Sequence, residues 1–308
     1  WGLVMLDREG IIRFRDVDAG TVVTTCRIFF RRLKPFLVLP LGDQVWAFVE
    51  RRVASTLSGG TIAAIDYART LTESAVLLIS QPLGFALLHA GVSADPKQQI
   101  ARIARSMLAV ALPASVVLWV LAPDVVRLLF MRGAFDEADA ALTATAVRGI
   151  ACGLWGSMLG WVLVRILNGL NRNSAVIKMV CASYAVNAII DGCALLVPSP
   201  YGMAVLGFGE AARGIFFLGA VTAALGWLPQ LLLTLLRALP VVVAVAVLAP
   251  HIASVASHAV PRLALGGLLS LAASALLLFV LDREIFWRVV AAGRGRLLKL
   301  LPAGSERS

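Results

Sequence analysis

Charged residues are scarce in this sequence, and the motifs of several common enzyme classes are missing from it. Only 15% of its 308 residues are Asp, Glu, Lys or Arg, whereas a soluble domain has about 25%. The sequence has no Walker, GxSxG or HExxH motif. Its four cysteines and three histidines lack the spacing of a zinc site or a disulfide framework. We therefore expect no enzyme activity, no cofactor and no metal site.

Long apolar blocks take the place of the missing charge. Hydrophobic residues make up 59% of the chain, and the mean hydropathy is +0.87. About 20 apolar residues of helix cross the core of a bilayer, and unpaired backbone groups in lipid force such blocks to be helical. Eight blocks qualify, at residues 35–57, 62–90, 102–122, 138–167, 175–197, 202–226, 230–250 and 262–281. The sequence therefore predicts an all-α polytopic membrane helix bundle.

Basic residues give the chain a net charge of +10 and a pI of about 10.3. They are concentrated in residues 1–34, in alternate connections between the blocks and in the tail after residue 284. This alternation is typical of membrane orientation, so it predicts that both termini are cytoplasmic. We expect membrane lipid as a partner, and no nucleic acid.

Ionisable residues inside spans are expensive and usually face a cavity or a partner. In the second block, Asp66, Arg69, Thr70 and Glu73 lie within an arc of about 100° on a helix. We interpret this stripe as the wall of a cavity in which Arg69 meets an anionic headgroup, because guanidinium pairs well with phosphate. The alternative is pairing within the helix, since Arg69 lies three residues from Asp66 and four from Glu73.

The first block adds further candidates. Asp43 and Glu50 are seven residues apart and share a face, so they, together with Glu73, could bind a coupling cation or a proton. Arg52 lies near the outer end of this block, where it either contributes to substrate binding or extends its side chain to the membrane–water interface.

Three other features are interpreted as structural. Glu210 and Arg213 have the spacing of an ion pair within one helix, and Asn187 and Asp191 share a face from which they would bond to a neighbouring helix. Residues 124–135 are expected to form a separate interfacial turn of helix.

Two stretches resemble a known family. Residues 49–57 (VERRVASTL), followed by 64–71 (AIDYARTL), are similar to its "AS-x-L" and "YA-x-R-L" pattern, and residues 126–136 (VRLLFMRGAFD) are similar to its "LLF-x-RGAF" segment. Residues 168–173 and 186–187 fit the next two helices. The chain thus resembles the C-terminal half of MurJ/MviN flippases, which belong to the MOP exporter superfamily.

The resemblance implies one lobe of a fourteen-helix, two-lobe transporter that moves lipid II, the undecaprenyl-pyrophosphate-linked peptidoglycan precursor, outward across the inner membrane. Residues 1–34 would be a basic cytoplasmic linker, 35–226 the six-helix lobe, 227–284 two added helices that form a groove for the lipid tail, and 285–308 a basic tail. The substrate would be a lipid-linked oligosaccharide. The chain starts at Trp1, and we expect a partial sequence whose N-terminal lobe is missing.

One position departs from the family pattern. The arginine of "YA-x-R-L" falls on Thr70, and Arg69 occupies the position before it. A shift of one residue turns a side chain by about 100° on a helix. Two alternatives therefore stay open: export of exopolysaccharide or O-antigen units, or of drugs, by the same fold, and a partial chain that transports nothing.

Overall fold

A computed structural model describes residues 19–90, 96–255, 258–287 and 290–291, and these residues form eight long helices and no strand. This confirms the predicted all-α bundle. The helices are α1 Ala19–Ala54, α2 Thr61–Ala90, α3 Pro96–Phe130, α4 Glu137–Gly169, α5 Asn173–Cys193, α6 Ser199–Ala224, α7 Leu228–Val255 and α8 Ala259–Leu281. Most of the predicted basic linker and tail, residues 1–18 and 292–308, lies outside the described residues.

Within the described residues, six helices are long and apolar enough to cross a membrane. These are α3 to α8, whose most apolar windows have mean hydropathies of 1.5 to 2.6. Helices α1 and α2 are long enough to cross a membrane, at 36 and 30 residues. They contain the charged residues from which the cavity was predicted, and these residues lower the mean hydropathy of both helices.

Two helix bounds differ from the prediction. Helix α1 begins at Ala19, so residues 19–34, predicted as linker, are helical. Helix α3 continues through Pro123 to Phe130, so the separate interfacial turn predicted for residues 124–135 is wrong. Pro123 lacks the N–H that would bond to the carbonyl of Trp119. The Arg148 Nε donates to that carbonyl instead, at 3.3 Å.

The turns on both sides of the bundle have clear local causes. Helix α4 starts at a capping box, in which the Asp136 carboxylate accepts the N–H groups of Ala138 and Asp139, both at 2.9 Å. Helices α4 and α6 are followed by residues in the left-handed region, Asn171 with φ of 57° and Gly226 with φ of 69°. That conformation closes the last helical turn and sets up the short connections to α5 and α7.

Helix α4 is the centre of the lobe, packed between α2, α3 and α6. Its contact with α6 is a seam of small residues: Gly149 faces Gly207, Gly153 faces Ala211, and Gly156 faces Gly214. A Cβ at Gly153 would collide with the backbone of Ala211. The seam therefore brings the two backbones into direct contact, as small residues allow in membrane bundles, and it fixes α6 beside the site.

Helices α7 and α8 pack on the opposite side of α3. Two ion pairs hold α8 at its ends: Arg262 lies 3.3 Å from Asp124, and Arg105 lies 4.0 Å from Asp282. The two last helices are thus attached to the lobe through α3, away from α1 and α2.

Candidate functional site

Four charged side chains from three helices meet in the interior and form what we call the charge network. Arg69 of α2 donates from Nη2 to Glu50 of α1 and, at 3.1 Å, to Oε1 of Glu210 of α6. Arg213, also of α6, donates from Nε to the other oxygen of Glu210 at 3.0 Å. Glu50 and Glu210 are buried, with 0% and 4% of their surface exposed. Two arginines and two glutamates thus neutralise each other inside the bundle.

Aromatic rings complete the surroundings of the two guanidinium groups. The Trp46 ring lies 4.3 Å from the Arg69 guanidinium and 4.7 Å from that of Arg213, distances at which a ring face attracts a cation. Tyr184 of α5 stacks on Trp46, with ring centroids 5.5 Å apart. The Tyr184 hydroxyl donates to Asp43 of α1 at 3.1 Å. The network therefore ties α1, α2, α5 and α6 together.

A cavity of about 500 Å³ opens beside the charge network. Its wall on α4 runs from Ile150 to Asn168, a rise of about 27 Å along the helix. The network lies at one end, where Arg69, Glu210 and Arg213 line the wall. Towards the other end, the Arg165 guanidinium of α4 donates to the side-chain oxygen of Gln81 of α2. The cavity is thus a long polar chamber between helices, with arginines at both ends.

Three of the predicted site residues line this cavity and the others lie elsewhere. Asp43, Arg69 and Glu73 are in the wall, while Glu50 is buried behind Arg69. Asp66 lies nearer the end of the bundle, 3.6 Å from Arg51.

Thr70 and Arg52 are both exposed and absent from the cavity wall. The Thr70 hydroxyl donates to the backbone carbonyl of Asp66 at 2.8 Å. Thr70, the position on which the resemblance predicts the family arginine to fall, is therefore turned away from the cavity, and Arg69 faces it.

Pairing of Arg69 within its own helix, the alternative left open by the sequence, contributes only one long contact. Arg69 lies 3.9 Å from Asp66, whereas its closer partners are Glu50 and Glu210 of the neighbouring helices. The Glu210–Arg213 pair forms as predicted, but Glu210 also accepts from Arg69, which sequence reasoning missed. No pattern in the sequence indicates that contact, because Arg69 and Glu210 are 141 positions apart.

Asn187 and Asp191 of α5 are fully buried, and their side chains have no hydrogen-bond partner within the described structure. The prediction that they bond to a neighbouring helix is therefore wrong. They face Gly209 of α6, where a Cβ would collide with an oxygen of each. The neighbouring helix presents a glycine backbone and no side chain there, which explains the lack of a donor.

Long apolar helices with a polar chamber between them define this chain as a polytopic membrane protein with an internal cavity. A profile of the family described as lipid II flippase MurJ matches residues 19–274. The chain belongs to the MurJ family, and with its apolar helices it is a multi-pass protein of the inner membrane.

Individual relatives give the same result over shorter lengths. A probable lipid II flippase MurJ from Buchnera aphidicola is 28% identical over 145 residues, covering 45% of this chain and 28% of the relative. The protein of the same description from Bdellovibrio bacteriovorus is 28% identical over 141 residues, 44% of this chain and 27% of that protein. The chain thus matches little more than a quarter of either curated relative.

A solved structure titled lipid II flippase MurJ, inward closed conformation, shares the fold. It superposes with a TM-score of 0.63 at 16% identity, covering 85% of this chain and 56% of the solved one. At this identity the likeness concerns the fold alone. The superposed part is thus most of this chain and little more than half of the solved one.

Proposed function

We propose that this chain is the C-terminal lobe of a flippase that moves lipid II outward across the inner membrane by alternating access. The observation that carries the proposal is the polar cavity beside the charge network, in a chain that belongs to the MurJ family. In this proposal the cavity holds the pyrophosphate and sugar while the two lobes rock about it. The chain matches only part of its relatives, so a second lobe would supply the opposite wall.

The proposed orientation has both termini in the cytoplasm. The turns after α1, α3 and α5 then lie outside, and the turns after α4 and α6 lie inside. In this orientation the cavity runs from the charge network, in the outer half of the bundle, to Arg165 and Asn168 near the cytoplasmic end of α4. A chamber of that position suits a substrate that enters from the cytoplasm.

Arg69 is the residue we propose for pyrophosphate binding, with Glu73 beside it in the wall; the other substrate candidates, Asp66, Thr70 and Arg52, lie outside the wall and would meet the substrate only beyond this cavity. Arg69 lines the cavity with 14% of its side chain exposed, and its partners are carboxylates whose place a pyrophosphate oxygen could take. The place of Glu210 is the one that can be exchanged without leaving a buried charge alone, because Glu210 keeps Arg213 when Arg69 turns to the pyrophosphate.

Ion coupling is proposed for the carboxylates of the same region. Asp43 and Glu73 line the cavity, and Glu50 is already engaged by Arg69. A buried carboxylate without a partner is costly unless it is protonated or meets a cation. For that reason Asp191, buried and without a hydrogen bond in the described structure, joins Asp43 and Glu50 as a candidate for the coupling proton or cation.

The test is outward movement of labelled lipid II in cells depleted of their own flippase, with the complete protein that contains this chain. We expect rescue by the wild type and by the control Arg237→Gln, whose side chain is exposed on α7 away from the cavity. We expect loss of rescue in the double variant Glu50→Gln/Arg69→Gln, in which both members of a buried pair become neutral and neither charge is left alone.

The outcomes separate the alternatives. Failure of the wild type to move lipid II would overturn the cargo assignment, and movement of a lipid-linked exopolysaccharide unit in a parallel assay would replace it. Normal flipping by the double variant would remove Arg69 from the mechanism. Rescue by this chain without its partner lobe would refute the need for two lobes.

A further inference from the structure

Arg148 is a charged residue on the surface of α4 that the proposed transport does not use. It lies 11 residues after Glu137, where α4 begins, or about 16 Å along the helix axis. The 33 residues of α4 span about 50 Å, which exceeds a hydrocarbon core of about 30 Å. If the excess is shared equally, Arg148 lies about 6 Å inside the hydrocarbon boundary on the side of the α3–α4 turn. Its side chain is nevertheless exposed.

The position of the guanidinium is fixed by the proline of the neighbouring helix. Pro123 leaves the Trp119 carbonyl without its helical donor, and Arg148 Nε supplies that bond. A bare carbonyl at this depth would be costly in lipid, so the contact holds Arg148 against α3. Arginine has five N–H donors, and the described carboxylates form no ion pair with it. Its two Nη groups therefore keep donors for a further anionic partner.

An apolar groove of about 260 Å³ lies next to this arginine: its lining includes Trp119, whose carbonyl accepts from Arg148, and Cys152, whose thiol contacts the Arg148 carbonyl. It runs between α3, α4 and α7 and is lined by Leu112, Ser115, Trp119, Cys152, Trp155 and Ala246. The Trp155 Nε1 donates to the Cys152 carbonyl at 2.9 Å, which holds that ring in the wall. Trp119 is 44% exposed at the level of Arg148, a position typical of tryptophan at a membrane interface.

The groove is separate from the transport cavity. Arg148, Cys152 and Trp155 point to one side of α4, and the cavity residues Ile150 and Trp161 point to the other, about 180° away at 100° per residue. An acyl chain in the groove would therefore be separated from the charge network by the width of α4.

We propose that this groove binds one acyl chain of an anionic phospholipid whose phosphate is held by Arg148, in the outer leaflet of the proposed orientation. The charge favours an anionic headgroup over a zwitterionic one, because arginine near a membrane surface gains from anionic lipid. The apolar walls beside the arginine fit the acyl chain, and Trp119, which is exposed at the level of Arg148, fits the glycerol level.

The test uses Trp119 and Trp155 as reporters in the complete protein, reconstituted in phosphatidylcholine nanodiscs. A small fraction of phosphatidylglycerol brominated on its acyl chains is added, and brominated phosphatidylcholine is added to a matched sample. Bromine quenches tryptophan on contact, and the double variant Trp119→Phe/Trp155→Phe gives the background to subtract. We expect half-maximal quenching of the two-tryptophan signal at about fivefold less brominated phosphatidylglycerol than phosphatidylcholine.

Two variants and one competitor decide the result. Arg148→Gln should abolish the preference while Arg237→Gln keeps it, and Ala246→Phe should reduce quenching by both lipids because it fills the groove. Arg148→Lys should keep part of the preference, which guards against loss by misfolding. Equal quenching by both lipids, or a preference that survives Arg148→Gln, would overturn the proposal. So would relief of quenching by undecaprenyl phosphate at equal fraction, which would assign the groove to the carrier lipid.

Discussion

Removal of Arg69 should destabilise the lobe by leaving charges buried, independently of any effect on the substrate. In Arg69→Gln, Glu50 loses its ion-pair partner, and Glu210 keeps only Arg213. Glu50 has 0% exposed surface, so water cannot replace the guanidinium. Breaking a buried pair by removing one partner costs roughly 3–5 kcal/mol. We expect a loss of this size in the free energy of unfolding.

The double variant tests the physical reason. In Glu50→Gln/Arg69→Gln the remaining pair, Glu210 with Arg213, is still neutral overall, and two amides at the former pair can bond to each other. We therefore expect the added Glu50→Gln substitution to restore about 2 kcal/mol or more of the free energy of unfolding that Arg69→Gln removed. This coupling lies within the range measured for residues of one network. A single Glu50→Gln should be milder than Arg69→Gln, because Arg69 keeps Glu210.

The assay is unfolding of the complete protein in mixed micelles at increasing denaturing detergent, followed by circular dichroism. Arg237→Gln is the control, and an exposed substitution of this kind should change the free energy by about 0.5 kcal/mol or less. The reasoning is refuted if Arg69→Gln loses less than about 1 kcal/mol, or if the double variant is no more stable than Arg69→Gln.

Three further predictions concern the scaffold. Gly153→Ala should destabilise by about 1–3 kcal/mol, since its Cβ meets the backbone of α6, whereas Gly219→Ala, with open space around it, should be neutral in the same unfolding assay. Asp136→Ala removes the cap of α4 and should lower stability by about 1 kcal/mol, measured against the isosteric Asp136→Asn. Alkaline phosphatase fused after Pro198 should be active and after Asn171 inactive, and the reverse pattern would contradict the proposed orientation.

The helices α3 to α8 could be predicted from their long apolar runs, and α1 and α2 from runs that charged residues interrupt. The predicted block at 138–167 starts within one residue of α4, which begins at Glu137. The start of α1 was missed because residues 19–34 are basic. A hydropathy pattern indicates segments that contact lipid, and it does not indicate a helix that continues beyond the apolar segment. The continuation of α3 through Pro123 was missed because the donor that compensates the proline is Arg148, on another helix.

The site could be predicted only one helix at a time. Periodicity placed Arg69 and Glu73 on a common face, and both line the cavity. It could not find the partners of Arg69, because a helix pattern contains no information on which neighbour faces it. Trp46 and Tyr184 were missed for a related reason: aromatic residues in an apolar span are not distinctive until two guanidinium groups are found beside them.

Helix α4 has the transport cavity on one face, the membrane groove on the opposite face and the glycine seam with α6 between them. A shift or tilt of this helix therefore changes the shape of both spaces at once. If a lipid in the groove favours one position of α4, it changes the affinity of the cavity for its occupant. Because linked binding equilibria are reciprocal, the occupant of the cavity then changes the affinity of the groove for the lipid by the same factor. Under the two proposals above, the composition of the surrounding bilayer would therefore become a variable of transport, acting through α4.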